Sequence, residues 1–217
     1  MTINLCFHGI GAPAREREPG EARYWVSQEL FLRVLDEVRL SHSINLSFDD
    51  GNKSDVSIAL PALQERGLRA TFFPLAGRLE DPDSVGASDL QLLRSAGMTV
   101  GSHGWAHVPW RGLDADGLRR ELVEARAVLT DASAGSIDAA ALPLGRYDRA
   151  LLGQLQDCGY ATVFTSDRFP ASPGRWLQPR YSVTANDNLD SIRDIITHRL
   201  GLDDARHYVS SLVKRLR

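Results

Sequence analysis

The 217-residue sequence predicts a parallel α/β fold. Three observations support that class. Short runs rich in β-branched and aromatic residues alternate with helix-period runs from end to end, in about seven βα-like steps. Gly67, Gly97 and Gly159 stand where three of the helical runs should stop. No repeat, low-complexity tract or linker breaks the series. One domain over residues 1–217 is therefore expected, a length that can enclose a sizeable core. The alternation alone leaves barrel closure open.

Residues Ile3–His8 read as the first strand, followed by a loop rich in Gly, Pro and Arg over Gly9–Gly20. Ser27 offers an N-cap, and Phe31, Val34, Leu35 and Val38 recur at helical spacing. Residues Ser43–Phe48 alternate Ile44, Leu46 and Phe48 against Asn45, Ser47 and Asp49, a strand with two unlike faces. A helix over Asp55–Arg66, containing Pro61, precedes strand-like Ala70–Leu75. A short helix over Ser88–Ala96 leads to a strand at Met98–His103. Leu118, Leu122, Ala125 and Leu129 mark the core face of a longer helix. The remaining elements are a weak strand at Ala139–Pro143, a helix at Asp148–Cys158, a strand at Thr162–Thr165, extended chain at Trp176–Val183 and a helix at Asn188–Leu200.

Hydrophobic residues make up 43%, charged residues 24%, and the net charge is -3, the profile of a soluble globular protein. The slight acidity argues against a nucleic-acid partner. The opening MTINLCFHGI lacks a basic, apolar leader, and no run approaches the roughly 20 apolar residues of a membrane span, so a cytoplasmic location is expected. Cys6 and Cys158 read as small buried hydrophobes rather than a disulfide.

Two motifs carry chemistry. Asp49-Asp50-Gly51 ends a strand, where functional groups gather in parallel α/β proteins. The two carboxylates fall on opposite parity, so one can bind a cation while the other stays free as a base. Either could also simply cap the next turn. His103-Gly104-Trp105-Ala106-His107 follows another strand, and two imidazoles four residues apart can converge on one ion in a tight turn. Together the motifs would meet on one rim of the sheet: a carboxylate and two histidines for a zinc-type site, with a second carboxylate beside it. Asp49 would then take the proton of an attacking water, which is equipment for hydrolysing an amide or ester.

The sequence resembles the polysaccharide deacetylase superfamily, the NodB-homology domain of carbohydrate esterase family 4. Leu46-Ser47-Phe48-Asp49-Asp50-Gly51 is similar to that family's Thr-Phe-Asp-Asp-Gly motif. Gly101-Ser102-His103-Gly104-Trp105-Ala106-His107 resembles its His-Ser/Thr-x-x-His segment, and Leu142-Pro143-Leu144-Gly145-Arg146-Tyr147-Asp148 its third motif. Further likeness runs through Cys6-Phe7-His8, Ala70-Thr71-Phe72-Phe73 and Gly159-Tyr160-Ala161. The resemblance implies an irregular (β/α) barrel, a divalent metal (zinc for preference) on Asp50, His103 and His107, and Asp49 as general base. It also implies an oxyanion contact from the Leu144 N–H. The implied reaction is removal of an acetyl group from an N-acetylated sugar or sugar-containing biosynthetic intermediate. A metal-dependent amidase acting on a non-sugar amide, or a binding protein that keeps the fold, are the rival readings.

The sequence departs from the family in two places. Ala141 stands where many members carry an arginine that orients the catalytic Asp, and Arg180 or Arg146 could supply that cation. The late histidine that protonates the leaving group has no clear counterpart. His198 has the nearest context, but the helical period of Ile192, Ile195, Ile196 and Leu200 puts it on a solvated face. His8, at the end of the first strand, is either the rival acid or a hydrogen-bonded strand-end histidine. His42 and His207 read as surface residues. Trp105, between the two histidines, is expected near the site as a sugar-stacking ring, whereas Trp110 and Trp176 are expected in the core.

Overall fold

Strand β1 (Ile3–Phe7) pairs with β4 (Ile44–Asp50) on one side and β10 (Tyr181–Ser182) on the other, all parallel. The computed structural model describes residues 1–41, 43–197 and 202–217. From β4 the sheet continues through β5 (Ala70–Pro74) to β6 (Thr99–Val100). A second parallel sheet runs β7 (Ala139–Ala141), β8 (Thr162–Thr165), β9 (Leu177–Pro179). Two joints connect the sheets. Ser102, just past β6, bridges to Ala140 of β7. At the other edge β9 passes into β10 with Arg180 alone between them, so one extended stretch pairs β8 and then β1. The ring of parallel strands is thereby an irregular (β/α) barrel. A small pair, β2 (Gly9–Ile10) with β3 (Trp25–Val26), lies outside it.

The two faces of each strand do different work. Leu5, Phe7, Leu46, Phe48 and Phe72 join the core, where Phe7 meets Phe31 of α1 (Gln28–Val38) edge to face at 5.2 Å and Phe48 stacks on Phe72 at 4.7 Å. The alternate residues carry a polar file: Asn45 donates to Asn4 at 2.9 Å, and Asn4 to Gln178 at 3.2 Å. Higher in the same file stand Ser47, Asp49 and Arg180. Asn4, Ser47, Asp49, Gln178 and Arg180 are buried, and buried polar groups persist only when paired, as these are.

Helices α2 (Leu60–Glu65), α3 (Ala87–Ser95), α4 (Ala115–Leu118), α5 (Ala125–Ser133) and α6 (Arg149–Asp157) fill the connections, and α7 (Leu189–Ile196) and α8 (Leu202–Leu216) follow the last strand. Ser27, Asp148 and Asn188 cap α1, α6 and α7 by accepting from backbone N–H groups, and Gly67, Gly97 and Gly159 take positive φ at the expected stops. The expected single helix over residues 55–66 is instead a widened turn at Asp55–Ala59 followed by α2. There the Leu60 N–H bonds five residues back to Asp55, just ahead of Pro61, which has no N–H to offer. The expected strand over 98–103 is only two residues long. Gly101 and His103 still donate to Phe72 and Pro74 of β5, while Ser102 between them donates to Ala139 of β7, so the chain ties the two sheets together at the joint. Helix α8 and the pair β2–β3 have no counterpart in the sequence reading. Cys6 is buried and Cys158 only half-buried, and neither is in a disulfide. Among the described residues no helix is long and apolar enough to cross a membrane. His42 and His198 lie outside the described residues.

Candidate active site

Asp49 and Asp50 end β4, and the chain must turn at once to leave the barrel. Asp50 takes φ 72° and Gly51 φ 65°. A Cβ at Gly51 would lie 2.9 Å from the Pro74 Cβ, so glycine is required there by space as well as by conformation. His107 also adopts a left-handed φ of 56°, as does Leu144 at 56°. Non-glycine residues held in this region cost of order 1–3 kcal/mol each and gather at functional sites. Gly104, at φ 84°, has no room for a side chain because the Glu121 carboxylate stands where its Cβ would be.

These turns aim three ligand atoms at one point. Asp50 Oδ1 lies 3.5 Å from His103 Nε2 and 3.4 Å from His107 Nε2. The other ring nitrogens are occupied: His103 Nδ1 is 2.9 Å from the Ala141 carbonyl, and His107 Nδ1 is 2.6 Å from Glu18 Oε2. Those acceptors place the N–H on Nδ1, which turns each Nε2 lone pair inward. Burial pushes His103 down to about 4, so its ring is neutral at ordinary pH. The His103 lone pair and His107 Nε2 thus face a buried carboxylate oxygen, Asp50 Oδ1, that has no hydrogen-bond partner. That donor set fits a divalent cation of the zinc type.

Asp49 is held differently. Arg180 grips it with both arms, Nη1 at 2.6 Å and Nη2 at 2.7 Å, and Nη1 also reaches Ser47 at 3.0 Å. Burial would raise the Asp49 carboxyl, but the Arg180 guanidinium, helped by His103 and His8, holds the group well below the usual carboxylate range. Asp50 is also lowered, because His8, His107 and His103 together outweigh its burial. Cys6, beside this pair, is pushed up by burial and stays a thiol.

A cavity of about 290 Å³ opens onto these groups, bordered by His8, Tyr24, Asp49, Asp50, His103 and Leu144 among others. A larger one of about 920 Å³ lies elsewhere, against α6 and α8, and holds none of them. Convergent polar groups, not volume, mark the smaller as the candidate site.

Residues 37–163 match the family model described as polysaccharide deacetylase. The chain belongs to the polysaccharide deacetylase family. It is 22% identical over 144 residues to the YxkH protein of Bacillus subtilis (strain 168), covering 66% of this chain and 52% of that one. To a chitin deacetylase of Pestalotiopsis sp it is 29% identical over 100 residues, 45% of this chain and 32% of that one. The chain thus spans about half or less of the length of these curated relatives. In fold it is similar to the Streptococcus pyogenes deacetylase PplD in complex with acetate, with a TM-score of 0.78 at 18% identity over 92% of this chain and 98% of that one.

Within this polysaccharide deacetylase fold, the residues singled out from sequence are not all brought together. Asp49, Asp50, His103, His107, His8, Leu144 and Arg180 border the one cavity. Arg146 is exposed, and Arg180 alone of the two candidate arginines reaches Asp49. Trp105 is not among the residues that border the cavity; its ring lies under the Arg120 guanidinium at 4.8 Å and against Gly77. The left-handed turns at Gly104 and His107 direct the histidine, and not the indole, inward. Trp110 is buried, as expected, and Trp176 half-buried. His207 is exposed, with Nδ1 3.1 Å from the Arg168 carbonyl.

Two acids escaped the sequence reading. Glu18 sits in the loop after β2, where it also pairs with Arg78. Glu121 is buried and accepts from the Trp105 N–H at 2.6 Å, the Ala106 N–H at 3.2 Å and Trp110 Nε1 at 3.1 Å. Its carboxylate organises the turn between the two histidines. The one signal for Glu121 was its place on an otherwise core-facing helical segment; nothing local marked Glu18.

Proposed function

We propose that the chain is a divalent-metal-dependent deacetylase that removes the acetyl group from an N-acetylated sugar or a sugar-containing intermediate. The observation that carries this reading is the convergence of Asp50 Oδ1, His103 Nε2 and His107 Nε2, with the oxygen unpartnered, next to an arginine-held Asp49. Asp50, His103 and His107 would hold the ion, and a bound divalent ion acidifies water and polarises a carbonyl oxygen. Asp49 receives the proton of the attacking water. Arg180 keeps that carboxylate ionised and fixes its angle, although the same pairing lowers its basicity. The Leu144 N–H, on the cavity border, is assigned to the developing oxyanion. His8 supplies a proton to the departing amine. Its Nδ1 is buried without a partner, and its ring packs at a tilt against Tyr24 with the centroids 4.6 Å apart.

Acetate release from N-acetylated chitooligosaccharides by zinc-loaded protein tests the reading. Asp49→Asn should abolish turnover while metal uptake persists, and His8→Gln should lower it. Hydrolysis of small acylamides with none of acetylated sugars would overturn the substrate assignment.

A further inference from the structure

Helix α8 lies beyond the matched family segment, residues 37–163, yet its side chains reach the turn that borders the active cavity. Lys214 Nζ lies 3.2 Å from the Gly145 carbonyl oxygen and 2.6 Å from Asp167 Oδ1. The same ammonium sits 5.0 Å from the centre of the Tyr147 ring. On the same helix, buried Ser211 places its hydroxyl 2.9 Å from Tyr147 Oη. Tyr147 in turn donates to Asp167 Oδ2 at 2.6 Å, and Thr165 donates to that oxygen at 2.9 Å. Tyr147 has one proton to give and gives it to Asp167, so Ser211 is the donor in its contact.

The object of this grip is an unfavourable turn. Leu144 and Gly145 take consecutive left-handed conformations, φ 56° and 62°. A leucine there persists only where its surroundings fix it. The internal bond from the Gly145 N–H to the Leu142 carbonyl is long, 3.3 Å. Both residues border the cavity that contains Asp49, Asp50, His103 and His107. Lys214 does not border it, so any effect on chemistry passes through the turn.

We propose that Lys214 is a positioning residue: fixed by Asp167, its ammonium holds the Leu144–Gly145 turn in place against the catalytic cavity. The functional half rests on the deacetylase reading, in which that turn supplies the oxyanion donor. The grip itself does not.

The experiment combines amide hydrogen exchange over residues 142–147 with steady-state deacetylation, on the full chain. Lys214→Met keeps the apolar stem and removes the donor. It should speed exchange in that segment and lower kcat about tenfold or more with KM within about twofold, as expected for loss of a transition-state contact. Lys214→Arg should restore both. Lys214→Met leaves Asp167 buried without its cation and could unfold the protein. The double variant Lys214→Met/Asp167→Asn removes that charge while still depriving Gly145 of its donor, and should show the same two effects. Unchanged exchange over 142–147 overturns the proposal whether or not the protein turns over substrate. Faster exchange with unaltered kcat overturns the link to catalysis. A wild-type chain inactive on every acetylated substrate, with exchange still responding to Lys214, supports the grip and removes the deacetylase reading instead.

Discussion

Asp49 and Arg180 form a fully buried, two-armed ion pair in the mouth of the barrel. Such a pair contributes little net stability while intact, but losing one partner strands a charge. Arg180→Met should therefore cost about 3–5 kcal/mol in denaturant unfolding. It should also raise the pH at which Asp49 ionises, moving the acid limb of the activity profile upward, because Arg180 is what holds that carboxyl down. His103 makes a second prediction. Burial lowers it from 6.5 to about 4, so between those values the unfolded chain binds a proton that the folded, metal-free chain refuses. Stability of metal-free protein should fall as pH drops from 6.5 towards 4, by up to about 3 kcal/mol, and His103→Gln should flatten the slope. Asp49 acts lower, since its stabilisation is complete above its ordinary 3.8 and is lost only below that. Asp49, Asp50, His103 and His107 were legible because two short local motifs carry them. Arg180 was legible only as one of two arginines, since its partnership depends on strands 131 positions apart in the chain meeting in space.

At the scale of elements, the histidine turn is built from outside as much as from its own sequence. Glu121 fastens three donors of the 105–110 segment, and Glu18 reaches across from the loop after β2 to orient His107. Carboxylate partners of ligand histidines typically account for about 10–100-fold in metal affinity. Glu18→Ala should weaken zinc binding by about that factor in a competition titration while leaving the melting temperature of the metal-free protein nearly unchanged, because Glu18 is partly exposed. An unaltered zinc affinity would show that the contact does not orient the ligand. Helices and strands with their own punctuation were readable: Ser27, Asp148 and Asn188 at starts, glycines at stops, and Phe31, Val34, Leu35 and Val38 on one face. Elements whose reason is tertiary were not. The β2–β3 pair is two residues on each side. Helix α8 leaves Val209 and Val213 exposed while burying Ser211, so its apolar pattern does not report the face that packs.

For the whole molecule, barrel closure is what assembles the site. The stretch from β9 to β10 pairs β8 and then β1, and that turn of the ring carries Arg180 to Asp49. Residues on opposite sides of the matched segment 37–163, from His8 and Glu18 to Arg180, thus border one cavity. In the metal-free state this assembly works against itself: the neutral His103 ring turns its Nε2 lone pair toward a buried Asp50 oxygen that has no hydrogen-bond partner. A cation that binds the folded chain and not the unfolded one relieves this and stabilises by mass action, about 2.7 kcal/mol at a hundred times Kd. For a chain of this size that corresponds to a rise of about 5–10 °C in melting temperature. Zinc titrated into metal-stripped protein should produce a rise of this order that grows with concentration and is reversed by a chelator. Asp50→Asn and His107→Gln should each reduce the rise, since each removes one of the converging atoms, whereas Trp105→Phe should keep it because that ring faces Arg120. A melting temperature indifferent to zinc and to other divalent ions, in protein that unfolds cooperatively, would remove the metal centre from the proposal and leave the convergence of the three side chains without a function.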